Sequence, residues 1–156
     1  MKKCLIVVDY QNDFVSGSLG FEKAKTLELG IANKINSYHV NGDDVIFTLD
    51  THYDDYMDSY EGKHLPVPHC IENTDGHKLY GSVADCVSGE DIVFRKTTFG
   101  SDALYEYLKT ACYGSVELVG VVTNICVVAN AVLAKTALPD ADIIVDSTLT
   151  ASNDER

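Results

Sequence analysis

A chain of 156 residues with 46% hydrophobic composition is long enough to fold around one sizeable core, so a single domain over residues 1–156 is expected. Its 12 basic and 24 acidic side chains give a formal charge of -12, which opposes binding to nucleic acid or to an anionic membrane surface. Its 5 cysteines are odd in number and form no CxxC pair, which argues against a disulfide framework or a thiolate zinc site and favours a reducing cytoplasm.

Short apolar runs predict a series of strands. In chain order they are CLIVVD at 4–9, DVIFTLD at 44–50, DIVFRK at 91–96, SVELVGVV at 115–122 and ADIIVDS at 141–147. Each run is nearly continuously apolar, as is typical of strands that are buried on both faces of a sheet. None approaches the roughly 20 apolar residues that a membrane-spanning helix needs.

Segments with helical spacing alternate with these strands, at 26–38, 103–110 and 125–138. The alternation predicts an α/β fold, a three-layer doubly wound (Rossmann-like) sandwich with a mostly parallel central sheet. In such sheets ligands bind beyond the carboxyl ends of the strands. Ligand-binding side chains are therefore expected at the ends of the strands, at Asp9, Asp50 and Lys96 and in the turn after Val122.

Two segments depart from the alternation of strands and helices. The stretch 51–83 is rich in Asp, Tyr, Pro and His, and long ordered loops of this kind are usually functional. At the other end, Ser152 and Asn153 resemble a helix cap followed by Asp154 and Glu155, yet the chain ends at Arg156. We therefore expect a domain that lacks its C-terminal helix.

Cys126 follows the fourth predicted strand and lies in the first turn of the predicted helix 125–138. The free N–H groups and the positive dipole end of a helix lower the pKa of a thiol and can hold a developing oxyanion. Cys126 is therefore a candidate nucleophile. The alternative is a buried small hydrophobic side chain, which is what most free cysteines are. The other cysteines lack this setting and are interpreted as structural.

Asp9 and Lys96 each end an otherwise apolar strand, where a charged group needs a partner or a task. With a thiol nearby, the carboxylate can accept the thiol proton while the ammonium stabilises negative charge. The alternatives are a structural ion pair between Asp9 and Lys96, or an Asp9 that only caps the following turn.

Asp50 and His52 lie two residues apart at the end of the second predicted strand. This spacing places both side chains on one face of the strand. An oxygen and a nitrogen ligand together suit zinc, manganese or iron. The pair is therefore a candidate part of a metal site.

Five motifs resemble those of the isochorismatase-like cysteine hydrolases, in the same order and over almost the whole chain. They are DYQNDFVSGSL at 9–19, TLDTH at 48–52, PHC at 68–70, FRKTTFGS at 94–101 and GVVTNIC at 120–126. The resemblance implies a catalytic trio, which falls on Asp9, Lys96 and Cys126. It also implies a non-proline cis peptide between Val121 and Val122, with the N–H groups of Val122 and Cys126 as the oxyanion hole.

The nicotinamidase-like branch of this superfamily, which the cysteine and the Asp-x-His pair favour, binds a divalent metal. The resemblance implies Asp50, His52 and His69 as three of the ligands, with zinc as first choice and manganese or iron as alternatives. For the remaining ligand Glu61 is preferred and His64 is the competing residue. The alternative is that the three histidines are polar residues of an exposed loop.

By this resemblance the protein hydrolyses a small carboxamide through a cysteine thioester, with nicotinamide to nicotinate and ammonia as first choice. Phe14 is expected to stack on the substrate ring, and Leu65 lies near the position where nicotinamidases often carry an aromatic residue. The alternatives are a cysteine amidase for an N-carbamoyl or ureide-type substrate, and a noncatalytic member that binds a small molecule. Family members commonly self-associate, so a homo-oligomer is expected.

Overall fold

The computed structural model describes residues 1–154 of the chain. Its centre is a sheet of five parallel strands, namely β1 (Lys3–Val8), β2 (Asp44–Asp50), β3 (Ile92–Lys96), β4 (Ser115–Val121) and β5 (Asp142–Ala151). The strand order is β3-β2-β1-β4-β5, so the order reverses between β1 and β4. This arrangement confirms the predicted α/β class and its parallel sheet.

The helices are α1 (Asn12–Val15), α2 (Glu22–Lys25), α3 (Glu28–Val40), α4 (Tyr60–His64), α5 (Gly81–Asp85), α6 (Asp102–Thr110) and α7 (Val128–Ala137). Short 3-10 turns occupy Tyr56–Asp58 and Asp75–His77, and a π-helical turn, Thr123–Val127, precedes α7. The predicted helices correspond to α3, α6 and α7. None of the helices within residues 1–154 combines the length and apolar composition needed to cross a bilayer.

The helices cover both faces of the sheet, because side chains alternate between the faces along each strand. Leu5 and Val7 of β1 pack in one buried cluster with residues of α3. Ile6 and Val8 pack in a second cluster with residues of α6 and α7. β1 is therefore buried on both sides, as its apolar sequence predicts.

The two edge strands are less buried than their sequences predict. Val93 of β3 is 43% exposed, and Ile144 and Val145 of β5 are 45% and 40% exposed. These neighbouring β5 residues point to opposite faces of the sheet, so the described residues cover neither face fully at this edge. The expectation that every strand is buried on both faces is therefore wrong for β3 and β5.

The last strand is longer than predicted. It runs to Ala151 instead of ending at residue 147, with an irregular register opposite Leu118 and Gly120 of β4. Ser152 and Asn153 follow it without forming a helix within the described part of the chain. The remaining residues of the predicted helix start, Glu155 and Arg156, lie outside the described residues.

The carboxyl edge of the sheet gathers the charged residues that end the strands. Asp9 directly follows β1, Asp50 ends β2 and Lys96 ends β3, while β4 leads into the turn before Cys126. Because all strands are parallel, these ends lie on the same side of the sheet, next to the reversal of strand order where ligands bind in such folds. This edge forms the candidate site.

Candidate functional site

The structure brings Asp9, Lys96 and Cys126 into direct contact. Lys96 Nζ lies 2.6 Å from Asp9 Oδ2 and donates to Cys126 Sγ at 3.5 Å. All three residues are buried. The Lys96 ammonium also donates to the carbonyl oxygen of Thr98 at 3.0 Å. A carboxylate, an ammonium and a thiol therefore share one enclosed space.

Both carboxylate oxygens of Asp9 contact a neighbouring side chain. While Oδ2 contacts Lys96, the hydroxyl of Thr48 donates to Oδ1 at 2.7 Å. Asp9 has a φ of 48°, in the left-handed region that aspartate tolerates better than most residues. Its backbone N–H donates to the carbonyl of Thr48 at 3.1 Å. β2 thus fixes both the backbone and the side chain of Asp9.

Burial and mutual charge determine the protonation of this trio. Burial raises the pKa of the Cys126 thiol, and the charge of Asp9 raises this pKa further, while Lys96 acts in the opposite direction. Burial also raises the pKa of the Asp9 carboxyl, partly offset by Lys96. Burial works against the charged form of Lys96, but the negative charges of Asp9, Cys126 and Asp50 together outweigh it and raise the pKa of the ammonium. A raised carboxyl pKa suits a group that must accept and return a proton.

Cys126 lies in the π-helical turn Thr123–Val127, whereas the sequence predicts a regular first helical turn. The turn is closed by the N–H of Val127, which donates to the carbonyl of Val122 at 3.1 Å. The peptide bond between Val121 and Val122 is cis, as the family resemblance implies. Val122 and Cys126 both line the cavity described below. The oxyanion-hole role of their N–H groups stays a prediction.

A second cluster contains Asp50, His52, Glu61 and His69, whose ligand atoms all lie within 4.8 Å of one another. His52 Nε2 lies 2.9 Å from Asp50 Oδ2 and 3.1 Å from Glu61 Oε2. His69 Nε2 lies 3.4 and 3.6 Å from the same two oxygens. The competing residue, His64, is exposed and contacts the carbonyl of Tyr60, outside the cluster. The structure therefore places Glu61 beside the other three residues.

The chemistry of this cluster fits a divalent metal, since two imidazoles with two carboxylates are ligands that zinc accepts. Glu61 Oε2 is buried and accepts no hydrogen bond of good geometry from the described residues. His69 Nδ1 donates to the carbonyl of Val67 at 2.8 Å, which leaves Nε2 facing the cluster. Burial opposes protonation of His52, yet the carboxylates of Asp50 and Glu61 raise its pKa to about 9. The cluster therefore attracts positive charge.

Asp50 connects the cluster to the trio. Its Oδ2 faces the imidazoles, while its Oδ1 accepts from Lys96 Nζ at 3.5 Å. Burial would raise the pKa of Asp50, but its contacts with His52, His69 and Lys96 lower that pKa below its ordinary value. Asp50 is therefore ionised and serves both groups.

A cavity of about 250 Å³ lies where the trio and the cluster meet. Its apolar wall is formed by Phe14, Leu19, Leu65, Phe99, Val122 and Ile125, and its polar lining by Asp50, Glu61, His69, Cys126 and Asn153. The predicted substrate contacts Phe14 and Leu65 both line it, and the ring of Phe14 lies 5.4 Å from that of His69. Another cavity, of about 370 Å³, is lined by His52 and Glu61 but not by Cys126. The smaller cavity is the one that gives a ligand access to the thiol.

Gln11 supports the Asp50 end of the candidate metal-binding cluster, and the sequence analysis did not identify it. Its side-chain Nε2 donates to the carbonyls of Asp50 and His77 at 2.9 and 2.8 Å, and its Oε1 accepts the N–H of Asp50 at 2.9 Å. These partners are 39 and 66 residues away along the chain, so no local pattern indicates the contact. Gln11 fixes the backbone of Asp50 at the end of β2.

The chain resembles known proteins in both sequence and fold. The family model of the isochorismatase domain matches residues 3–156. PncA of Bacillus subtilis (strain 168), described as an uncharacterized isochorismatase family protein, is 35% identical over 144 residues, which are 85% of this chain and 78% of the relative. The crystal structure of nicotinamidase PncA from Bacillus subtilis superposes with a TM-score of 0.86 at 31% identity, over 99% of this chain and 89% of that one. N-carbamoylsarcosine amidase from Thermoplasma acidophilum gives 0.79 at 25% identity, over 99% and 87%.

Proposed function

Since the chain belongs to the isochorismatase family, we propose that it is a cysteine-dependent amidohydrolase whose first-choice substrate is nicotinamide. The observation that carries the proposal is that one cavity of about 250 Å³ is lined by Cys126 and by three of the four residues of the candidate metal cluster, namely Asp50, Glu61 and His69. Beneath the thiol, the Lys96 ammonium contacts both Cys126 and Asp9. A nucleophile, a base and a cation are the groups that acyl transfer requires.

The first half of the reaction forms a thioester. Asp9 accepts the proton of the Cys126 thiol, and Sγ attacks the carboxamide carbon of the substrate. The N–H groups of Val122 and Cys126 stabilise the oxyanion of the tetrahedral intermediate. The C–N bond then breaks, and Asp9 returns its proton to the leaving nitrogen, so ammonia departs.

The second half releases the acid. Water attacks the thioester carbon while Asp9 accepts one of its protons, the C–S bond breaks, and the proton returns to Sγ. The product is the carboxylic acid, nicotinate when the substrate is nicotinamide. Lys96 stays positive throughout and offsets the negative charge that moves between Asp9, the thiolate and the oxyanion.

The cavity wall suits a small flat ring. Phe14 offers an aromatic face, and Leu65 gives an aliphatic contact in place of a second aromatic one. Losing one ring contact weakens stacking by about 0.5–1.5 kcal/mol, which changes affinity by about tenfold at most. A divalent metal held by Asp50, His52, Glu61 and His69 would supply Lewis-acid binding for a ring nitrogen.

A second candidate function is hydrolysis of an N-carbamoyl or ureide-type amide. The similarity to an N-carbamoylsarcosine amidase and the aliphatic side chains of Leu19 and Leu65 in the cavity favour it. These side chains make the wall less selective for an aromatic ring. The catalytic trio and the thioester chemistry are the same for both substrate classes.

The test is ammonia release from nicotinamide and a panel of small amides by purified, metal-supplemented protein, measured beside Cys126→Ala. Release from nicotinamide by the parent alone supports a cysteine-dependent nicotinamidase, and release only from a carbamoyl compound supports the second candidate. Equal release by Cys126→Ala would contradict the mechanism. If the parent is stabilised by the amides against heat but hydrolyses none of them, the protein is a noncatalytic binder.

A further inference from the structure

Asn130 is a fully buried amide on α7, one turn after Cys126. Its Nδ2 donates to the carbonyl of Cys126 at 2.8 Å and to the carbonyl of Phe99 at 3.1 Å. Its Oδ1 accepts the backbone N–H of Ser101 at 3.0 Å. Both amide hydrogens and the amide oxygen are therefore used, and every partner is a backbone group.

These hydrogen bonds join the two sides of the catalytic cavity. On one side is the carbonyl of Cys126, the residue that carries the nucleophile. On the other is the segment 97–101, which follows Lys96 and accepts the Lys96 ammonium at the carbonyl of Thr98. The side chain of Phe99 in this segment lines the cavity. Asn130 links both segments through backbone groups, whereas Lys96 reaches the Cys126 thiol itself.

We infer that Asn130 is a positioning residue, which sets the distance of the Cys126 thiol from Lys96 and from the Phe99 wall of the cavity. This inference rests on the proposed amidase function. Without the amide, the segment 97–101 loses two hydrogen bonds to α7 and can shift relative to Cys126. A displacement of about 1 Å at such a site lowers the rate by about a hundredfold. A buried amide with only a structural role would instead lower stability and leave turnover by the folded protein unchanged.

Two substitutions of Asn130 separate its contacts. Asn130→Ala removes all of them. Asn130→Ser keeps one, because a serine hydroxyl inside a helix bonds to the carbonyl four residues earlier, which here belongs to Cys126. Both variants lose the bonds to Phe99 and Ser101, and only Asn130→Ser keeps the bond to Cys126. We therefore expect both to lose about tenfold to a hundredfold in kcat/KM.

Ser101→Ala is the matched control. The hydroxyl of Ser101 accepts from the N–H of Leu104 and caps α6, so its removal destabilises the fold near the same segment. The backbone N–H that Asn130 accepts is unchanged. Ser101→Ala should therefore lower the thermal midpoint and keep kcat/KM within about threefold of the parent. Turnover is compared at temperatures where circular dichroism shows every variant to be folded.

A second measurement does not depend on the substrate. Iodoacetamide alkylation of Cys126, followed by peptide-resolved mass spectrometry, reports the reactivity of the nucleophile itself. We expect the Cys126 rate to change at least about tenfold in Asn130→Ala and to stay near the parent rate in Ser101→Ala. If Asn130→Ala does not fold, the kcat/KM and the Cys126 alkylation rate of Asn130→Ser carry the test.

The outcomes distinguish the two proposals. If the parent hydrolyses none of the amides, the proposed function fails, and the alkylation rates alone decide the role of Asn130. Unchanged turnover and unchanged alkylation in Asn130→Ala would overturn the inference. So would an equal loss in Ser101→Ala, because destabilisation would then account for both. Loss in the folded Asn130 variants, with parent-like values in Ser101→Ala, supports it.

Discussion

Replacing Lys96 with methionine removes the ammonium from the centre of the site and keeps a side chain of similar length. Lys96 Nζ lies 3.5 Å from Cys126 Sγ. At this separation, with an effective dielectric constant of about 20, the ammonium stabilises a thiolate by roughly 5 kcal/mol. Because about 1.4 kcal/mol corresponds to one decade, turnover and Cys126 alkylation at neutral pH should fall by about three decades.

The same substitution leaves the buried Asp9 without its cation. The Lys96 and Asp9 side chains are 1% and 0% exposed, and breaking a buried pair of this kind costs about 3–5 kcal/mol of unfolding free energy. The double variant Asp9→Asn/Lys96→Met, with no charge left in the pair, should regain much of this stability without regaining turnover. Urea denaturation and steady-state ammonia release measure the two effects separately.

Two results would refute this reasoning. If folded Lys96→Met keeps kcat and the Cys126 alkylation rate within about tenfold of the parent, the ammonium does not stabilise the thiolate as its distance implies. If the double variant is as unstable as the single variant, the loss of stability comes from packing and not from an uncompensated charge.

Three further predictions follow from the site. Cys126→Ala should abolish turnover with unchanged circular dichroism and metal content, and residual turnover at the parent rate would contradict the role of the thiol. His69→Ala should lower the metal content measured by elemental mass spectrometry, and a chelator should lower the thermal midpoint of the parent but not of the variant. A metal at a hundred times its Kd stabilises by about 2.7 kcal/mol, so an unchanged midpoint would argue against this metal site. Gln11→Leu should cost about 1–3 kcal/mol for each backbone group of Asp50 left unpaired and should weaken metal binding, as checked by urea denaturation and metal titration. Parent-like metal affinity would limit Gln11 to a structural role.

The central part of the fold was predictable because its strands are apolar on both faces. β1 and β4 lie within one residue of their predicted ends, and parallel strands end at one edge, which explains why Asp9 and Lys96 meet. The edge strands were less predictable. The polar residues Ser147 and Thr148 suggest an early end for β5, whereas the strand continues because it pairs with β4 as far as Ala151.

The candidate site also has parts that the sequence predicts and parts that it does not. The trio and the candidate metal cluster could be proposed from the sequence because their residues end strands or lie in recognisable motifs. The role of Asn130 could not be predicted, because its partners Phe99 and Ser101 are 31 and 29 residues away along the chain. The sequence of an apolar helix does not indicate which backbone groups an asparagine within it will bind. The π-helical turn at Cys126 was also missed, since helical spacing does not distinguish it from a regular turn.

The position of β1 in the middle of the sheet has a consequence for synthesis on the ribosome. β1 is made first, but one of its edges pairs with β4, where Lys3 is opposite Ser115. At a synthesis rate of about 5–20 residues per second, roughly 6 to 22 seconds pass between the synthesis of β1 and that of its partner strand β4. During that interval an apolar strand has open hydrogen-bonding groups, which favours pairing with other chains. Nascent chains of this protein should therefore depend on chaperones until β4 has emerged.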